Sequence, residues 1–499
     1  MMTKRFIAAA LALSAVFAVS SCGGAESAAP SAGEAGDAPG VSAVAAEAET
    51  TAESAKAKIG IEDYGGYEFH IAYEDYGDAA IAWRIADVDA DSQNGDLIND
   101  AVYERNLAVE EAFSCRIVGD PLPQGTVKTT IQKVVTAGDS TYDTHMTTAT
   151  QQCDMVIGGA FVDLSSVPEI DLKASYWSPA FTDGFSISGR TFYATGDICL
   201  NDDKSTWSYL FNKKLAENYG LPDMYQVARD GKWTLDLLQS YAQNAAADLN
   251  GDGQLKFGED QFGLYDQMES SVALYLGTGR KAVDIGADGS VIYNLDSEKS
   301  VDVWNRIWEF MQNTDYIMHA DLGSIDDRWN KVRANFRADQ MLFYNVTVSG
   351  YTLIRDMETD FGVLPIVKID ESQEGYYSTV QPGNCHCYAI PKSSADISRT
   401  GRILEAMAML SPETLTDAYY STTLQQKAVR DAESIEMMEM IFANRIFDFG
   451  FAYEKIGLMS FFNSEAQKKT NSFVSDEAKK HDKTIAAIEE LAQTIAGLD

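Results

Sequence analysis

From Tyr67 onward the chain keeps switching between a two-residue and a 3.6-residue hydrophobic period, and this alternation constrains its fold more than any other feature. Glu68-Phe69-His70-Ile71-Ala72 reads as a strand, residues 98–113 as an amphipathic helix behind an Asp/Asn-rich start, and Cys115-Arg116-Ile117-Val118 as a second strand. A helix over 127–137 and a strand at Asp154-Met155-Val156-Ile157 continue the series. Strand and helix in turn imply a parallel sheet with helices on both faces, and ligands of such sheets sit outside the carboxyl ends of the strands. The loops there, 73–83 and 158–161, offer Tyr76, Trp83 and Phe161 as rings for stacking; an aromatic in a loop can equally be a lid over the core.

At 499 residues the chain exceeds what one hydrophobic core usually supports, so two lobes are expected. The formal charge is −36, from 39 basic and 75 acidic residues. Such a field repels nucleic acid and anionic membrane surfaces, and it favours a neutral or cationic ligand over an anionic one.

Lys4 and Arg5 precede an apolar run over 6–19, which has the length of a secretion signal and is short for a membrane span. The run ends at Val19-Ser20-Ser21-Cys22-Gly23-Gly24, which resembles a bacterial lipobox. That resemblance implies cleavage before Cys22 and acylation of its thiol, which would hold the protein at the outer face of the cell membrane by lipid alone. Residues 23–58 are Ala, Gly, Ser, Glu and Pro with almost no large apolar side chain, and read as a flexible tether. The remaining five cysteines are odd in number and unevenly spaced, so they form no disulfide scaffold. Cys385-His386-Cys387 suggests a metal, but adjacent strand residues point to opposite faces and no second ligand pair lies nearby; half-buried strand residues are the better reading.

Asp248-Leu249-Asn250-Gly251-Asp252-Gly253-Gln254-Leu255-Lys256-Phe257-Gly258-Glu259 matches a twelve-residue EF-hand loop. Asp248, Asn250, Asp252, the Gln254 carbonyl, Lys256 through water, and Glu259 would supply the oxygens, with Gly253 at the turn. Asp260 competes with Glu259 as last ligand, and an acidic turn without metal is the alternative. No paired EF-hand follows, so a bound Ca²⁺ would be structural.

The stretch 341–368 organises the second half: a strand over 341–348, a short helix capped by Ser349, and a buried strand over 361–369 that Pro365 confines to an edge, a bulge or an end. Here DFGVLPIVK resembles the extracellular solute-binding proteins of family 1, the maltose-binding-like group that serves ABC importers. WSYLFNKKLAENYGLPDMY, built around Phe211-Asn212-Lys213, resembles their strand and helix, and SYWSPAFTDGFSISGRTFYATGDICL their hairpin, with its turn at Ser188-Gly189-Arg190. DGKWTLDLLQSYAQ reads as a helix capped at Thr234.

The resemblance implies an α/β, two-lobed periplasmic-binding-protein-like fold of type II, each lobe a sheet flanked by helices, with hinge crossovers. The expected division places 59–170 in lobe one, 171–340 in lobe two, 341–392 back in lobe one, and the helices of 393–499 on lobe two. Trp207 and Tyr209 alternate on one strand and can face the cleft, where flat sugar faces stack on rings, or Trp207 can be core. Tyr265, Gln267, Tyr344 and Asn345 stand where the family presents groups to its ligand. Trp304, Trp308 and Trp329 read as core on helix faces.

No catalytic constellation emerges: the five histidines form no metal-spaced pair, no glycine-rich phosphate loop follows a strand, and no nucleophile elbow is present. Acidic pairs abound, which leaves a glycosidase-like dyad open. The expectation is a monomeric, non-enzymatic binding protein that passes a small solute, an oligosaccharide by resemblance, to ABC permease subunits. The alternatives are a surface glycan-adhesion lipoprotein without a transporter and a secreted glycan-active enzyme.

Overall fold

The computed structural model describes residues 58–77, 87–286, 288, 290–319, 327–425 and 431–498. The signal run with Cys22, the tether and Trp83 lie outside them. The strands described are β1 (Tyr67–Asp75), β2 (Cys115–Pro123), β3 (Thr144–Thr148), β4 (Trp207–Asn212), β5 (Phe262–Asp266), β6 (Val283–Ile285), β7 (Val291–Tyr293), β8 (Ile317–His319), β9 (Met341–Thr347), β10 (Phe361–Leu364) and β11 (His386–Ala389).

They form two main sheets and a small hairpin. The first sheet runs β11-β3-β1-β2 and the second β10-β4-β9-β5-β8, while β6 and β7 pair apart. In the first, β1 is parallel to β2 and β3, with β11 antiparallel to β3. In the second, β5, β8 and β9 are parallel and β4 runs antiparallel to β9 and β10. The alternation seen in the sequence thus yields the parallel sheet it implied, framed by helices Leu97–Phe113, capped by Asp96, and Val127–Ala137. Helix Leu235–Ala245 starts at Thr234, whose side chain accepts from Leu237 N.

Several expectations need correction. Residues 154–157 are the end of helix Ala149–Ile157, not a strand; Thr148 caps that helix and the strand is the buried run Thr144–Thr148 just before it. Four apolar-rich residues carry too short a period to separate a strand from a buried helical turn. The hairpin expected before residue 200 reduces to a tight turn closed by Ile187 and Arg190, with Ser188 and Gly189 at positive φ. Trp329 is partly exposed under Arg328 rather than core.

The division into lobes also differs. Trp177 packs in the apolar cluster of the first sheet with Phe69, Ile71 and Met146, and Ala194 bridges Tyr388, so the chain reaches the second sheet only at Trp207. β9 does not return to lobe one; it is the middle strand of the second sheet, between β4 and β5. The return comes after β10, an edge strand that stops at Leu364 before Pro365, where a missing N–H costs no ladder bond. Helices Ile397–Leu410 and Leu415–Gln425 then pack on Leu97–Phe113 of lobe one, not on lobe two.

Three crossing segments lie side by side at the hinge. Trp207 N donates to the Thr379 carbonyl and Gln381 N to that of Ser205, which pairs the first with the second; Ile446 N donates to the Ser378 carbonyl, which adds the third. The last helix, Phe473–Ala496, spans both lobes. At its start Phe473 stacks on Trp304 at 4.7 Å; at its far end Arg190 donates to the Ile495 carbonyl at 3.3 Å and to that of Leu498. A cation there complements the negative end of the helix dipole.

Candidate ligand-binding cleft

The hinge determines where the two sheets meet. β1, β2 and β3 end at Asp75, Pro123 and Thr148, and antiparallel β11 begins at that same edge, where His386 pairs with Thr148. In the second sheet β5, β8 and β9 end at Asp266, His319 and Thr347, and β4 begins beside Thr347 at Trp207. Asn201, whose side-chain amide meets the His386 ring, and Thr206, next to Trp207, belong to one short segment. The carboxyl edges of both sheets therefore adjoin the same crossing segment, and the carboxyl ends of strands are where such sheets place their ligands.

Lobe one supplies Glu74, Tyr76, Gln151 and His386 to this edge. Glu74 is buried and its Oε1 accepts from Gly125 N at 3.1 Å and Gln151 Nε2 at 2.9 Å. The Tyr76 hydroxyl lies 3.4 Å from His386 Nε2. Burial pushes the His386 imidazole down to about 4, so it is neutral near pH 7. Behind it Lys204 pairs with Asp87 at 2.9 Å, both buried, and Arg445 lies 2.8 Å from Asp203 and 3.2 Å from Asp202. These hinge cations are already matched by carboxylates, which disfavours an anionic ligand here.

In lobe two Tyr209, Tyr265, Tyr344 and Asn345 are buried strand residues, with the adjacent Tyr344 and Asn345 on opposite faces of the sheet. Tyr209 on β4 stands opposite Asn345 on β9, and Tyr344 opposite Tyr265 on β5, their rings edge-to-face at 5.3 Å. Gln267 follows β5, and Ser270 Oγ donates to Asn345 Oδ1 at 3.0 Å. Burial, then the Asp266 charge, push the Tyr209 hydroxyl well above its ordinary value. The Asn345 amide nitrogen and the Tyr209 hydroxyl face each other without completing a hydrogen bond, and Gln267 Oε1 is buried with no partner among the described residues. Such atoms cost about 1–3 kcal/mol each when left unsatisfied, so this corner has polar capacity in reserve.

Two candidates lie elsewhere. Phe161 packs against His145 at 5.0 Å inside lobe one, and Trp207 is core, so neither ring faces a ligand as placed. Sequence reasoning missed Glu74, Gln151, Asn201 and His386. Only His386 carried a signal, in Cys385-His386-Cys387; Cys387 lies on β11 and Cys385 just before it, and both thiols are free and fully buried rather than half-buried.

In the loop at 248–259 the carboxylates point inward. Asp248 accepts from Gly251 N and Gly253 N, both at 2.7 Å, Asn250 donates to Glu259 at 3.0 Å, and Lys256 pairs with Asp252. Asp260, not Glu259, is the buried acid, and it accepts from Leu249 N at 2.8 Å and Lys256 N at 2.7 Å. Among the described residues no group of three or more Asp, Glu, His or Cys side chains is placed to hold a metal ion. The donors the spacing requires are present in one loop, and its Asx turns engage several of them internally.

Solved structures share this architecture. The galacto-N-biose/lacto-N-biose I-binding protein of the ABC transporter from Bifidobacterium longum, in complex with lacto-N-biose, aligns with a TM-score of 0.55 at 12% identity, over 86% of this chain and 99% of its own. A sugar transporter from Rhizobium etli in an open conformation gives 0.53 at 13% identity, over 87% and 100%. The cyclic alpha-maltosyl-1,6-maltose binding protein from Arthrobacter globiformis gives 0.52 at 14%, over 86% and 99%. No family model and no curated protein matches the sequence. At such identities the likeness is one of fold: this chain has the two-lobed α/β fold of the maltose-binding-like solute-binding proteins, as its sequence segments implied.

Proposed function

We propose that this protein captures an oligosaccharide between its two lobes and delivers it to the permease of an ABC importer, without chemical turnover. The observation that supports the reading is the placement of Glu74, Tyr76, Gln151 and His386 at the carboxyl edge of one sheet and of Tyr209, Gln267 and Asn345 near that of the other, joined by a three-segment hinge. Rings and neutral amides suit a neutral polyhydroxyl ligand, and matched hinge cations leave little to attract an anion. Binding proteins of this fold close around their ligand by hinge motion.

The protein works at the outer face of the membrane, held by acyl chains on Cys22, as a monomer. A Ca²⁺ ion held by Asp248, Asn250, Asp252, the Gln254 carbonyl and an acid at 259 or 260 would staple one loop of lobe two and take no part in ligand binding.

Titration calorimetry of the full chain against neutral oligosaccharides, amino acids and short peptides tests the reading. Micromolar binding of a short sugar accompanied by a smaller radius of gyration is the expected result. Affinity for polymer alone without compaction would favour glycan adhesion, and release of shorter sugars would favour an enzyme.

A further inference from the structure

We propose that Glu74 and Gln151 form a binding site for an ammonium group, and that the saccharide this protein captures carries a free amine on one of its units. The inference rests on the sugar-capture reading above and names the charge of its ligand.

Three strand ends build the site. Glu74 is the last but one residue of β1, Gly125 follows β2, and Gln151 stands in the first turn of the helix that follows β3. Gly125 N and Gln151 Nε2 both donate to the same carboxylate oxygen, Glu74 Oε1, at 3.1 and 2.9 Å. Glu74 Oε2 is left without a hydrogen-bond or ion-pair partner among the described residues. A carboxylate only accepts, so the Gln151 amide turns its Nε2 toward Glu74 and its Oε1 away, and that Oε1 is buried with no partner among the described residues. The unspent oxygens of the pair are thus both acceptors. An ammonium group has three donors and no lone pair, whereas a hydroxyl brings one donor and lone pairs that this pair does not need.

Charge points the same way. Glu74 is 4% exposed, and a carboxylate taken that far out of water is costly unless a cation answers it. The nearby cations are spent elsewhere: Lys128 pairs with Asp154, and Lys204 with Asp87. His386, whose ring feels the Glu74 charge, is kept neutral by burial and supplies none. The start of helix Ala149–Ile157 lies beside the carboxylate, but a helix N-terminus is equivalent to about half a positive charge and offsets it only in part. The long-range field has the same sign, since a chain of formal charge −36 attracts cationic solutes. A ligand ammonium supplies the counter-charge that lobe one lacks at this edge.

The test is titration calorimetry of the full chain at about pH 6, where a primary amine is protonated, with probes that differ only in an amine for a hydroxyl. The pairs are β-1,4-linked glucosamine trimer against cellotriose, glucosamine against glucose, and galactosamine against galactose. In at least one pair the amine-bearing member should bind about tenfold tighter, and its affinity should fall as salt is added. Glu74→Gln, which keeps the shape and removes the charge, should bring the members of that pair within about threefold of each other. A preference that survives Glu74→Gln overturns the site. If Glu74→Gln does not fold, the wild-type chain and Gln151→Met, which deletes the second acceptor, decide the matter: equal affinities within every pair, or a full amine preference in Gln151→Met, count against it. Failure of every amine-bearing probe to bind overturns the ammonium site, and the neutral oligosaccharides of the preceding test then decide the sugar-capture reading separately.

Discussion

The Arg445 guanidinium lies 2.8 Å from Asp203 and 3.2 Å from Asp202, all three nearly out of solvent, so the third crossing segment is bound to the first by a buried charge triad. Tyr420 donates to the second oxygen of Asp203 at 2.7 Å and completes its shell. Replacing Arg445 with Met leaves two carboxylates buried without a counter-charge, and should destabilise the protein by about 3–5 kcal/mol in urea titrations. A loss below about 1 kcal/mol, the level of an exposed ion pair, would mean that water reaches the hinge freely.

The response to acid should be a balance of opposing groups. Burial pushes His145 and His386 down from 6.5 to about 4, so the stability tied to them is complete above pH 6.5 and is lost as pH falls toward 4. Burial pushes Asp202 and Asp448 up from 3.8 to about 6, so their contribution is complete below 3.8 and is lost as pH rises through 6. Asp448→Asn removes one of the acid-favoured groups, and its Tm should therefore fall more steeply than wild type from about pH 6.5 to 4.5. Parallel Tm curves for the two proteins would remove Asp448 from the balance.

The C-terminal helix couples the lobes through Ile488, Leu491 and Ile495, all buried. Leu491→Ala should cost about 2–4 kcal/mol. Deleting residues 487–499 uncovers Ile157, Tyr453 and Ile456, which line a crevice with Ala487, Leu491 and Thr494, and should split one cooperative unfolding transition into two. A single sharp transition in the truncated chain would show that the hinge segments alone couple the lobes.

Gly263 on β5 has no room for a side chain: a Cβ there would sit 1.9 Å from the Ala242 carbonyl oxygen of the helix above. Gly263→Ala should reduce soluble yield sharply or lower stability by at least about 3 kcal/mol, because backbone rather than a mobile side chain must yield.

For the loop at 248–259 the expected outcome is a Tm that rises with added Ca²⁺, falls in chelator, and no longer responds after Asp248→Ala. Equal melting curves in calcium and in chelator would reduce the loop to an acidic Asx turn, with Asp260 as its buried anchor.

Local periodicity and capping residues made most of the elements readable. Val127–Ala137 and the Thr234 cap fall where the pattern puts them. Residues 154–157 were not readable, since buried short strands and buried helical turns share one composition. Tyr209, Tyr265, Tyr344 and Asn345 fall on β4, β5 and β9 as a strand pattern places them, with Gln267 just after β5. Glu74, Gln151 and Asn201 gave no signal: a buried carboxylate and its amide partner, 77 positions apart, look like any two polar residues until the sheet brings them to 2.9 Å.

The sequence by itself determined the class of fold and the alternation of strand and helix, because these depend on local hydrophobic period and residue type. Only tertiary structure decided which sheet each strand joins. β9 is buried on both faces wherever it is placed, so its apolar run cannot say whether it completes lobe one or sits between β4 and β5. Main-chain hydrogen bonding carries no side-chain code, and the division into lobes is settled by where the three crossing segments pair.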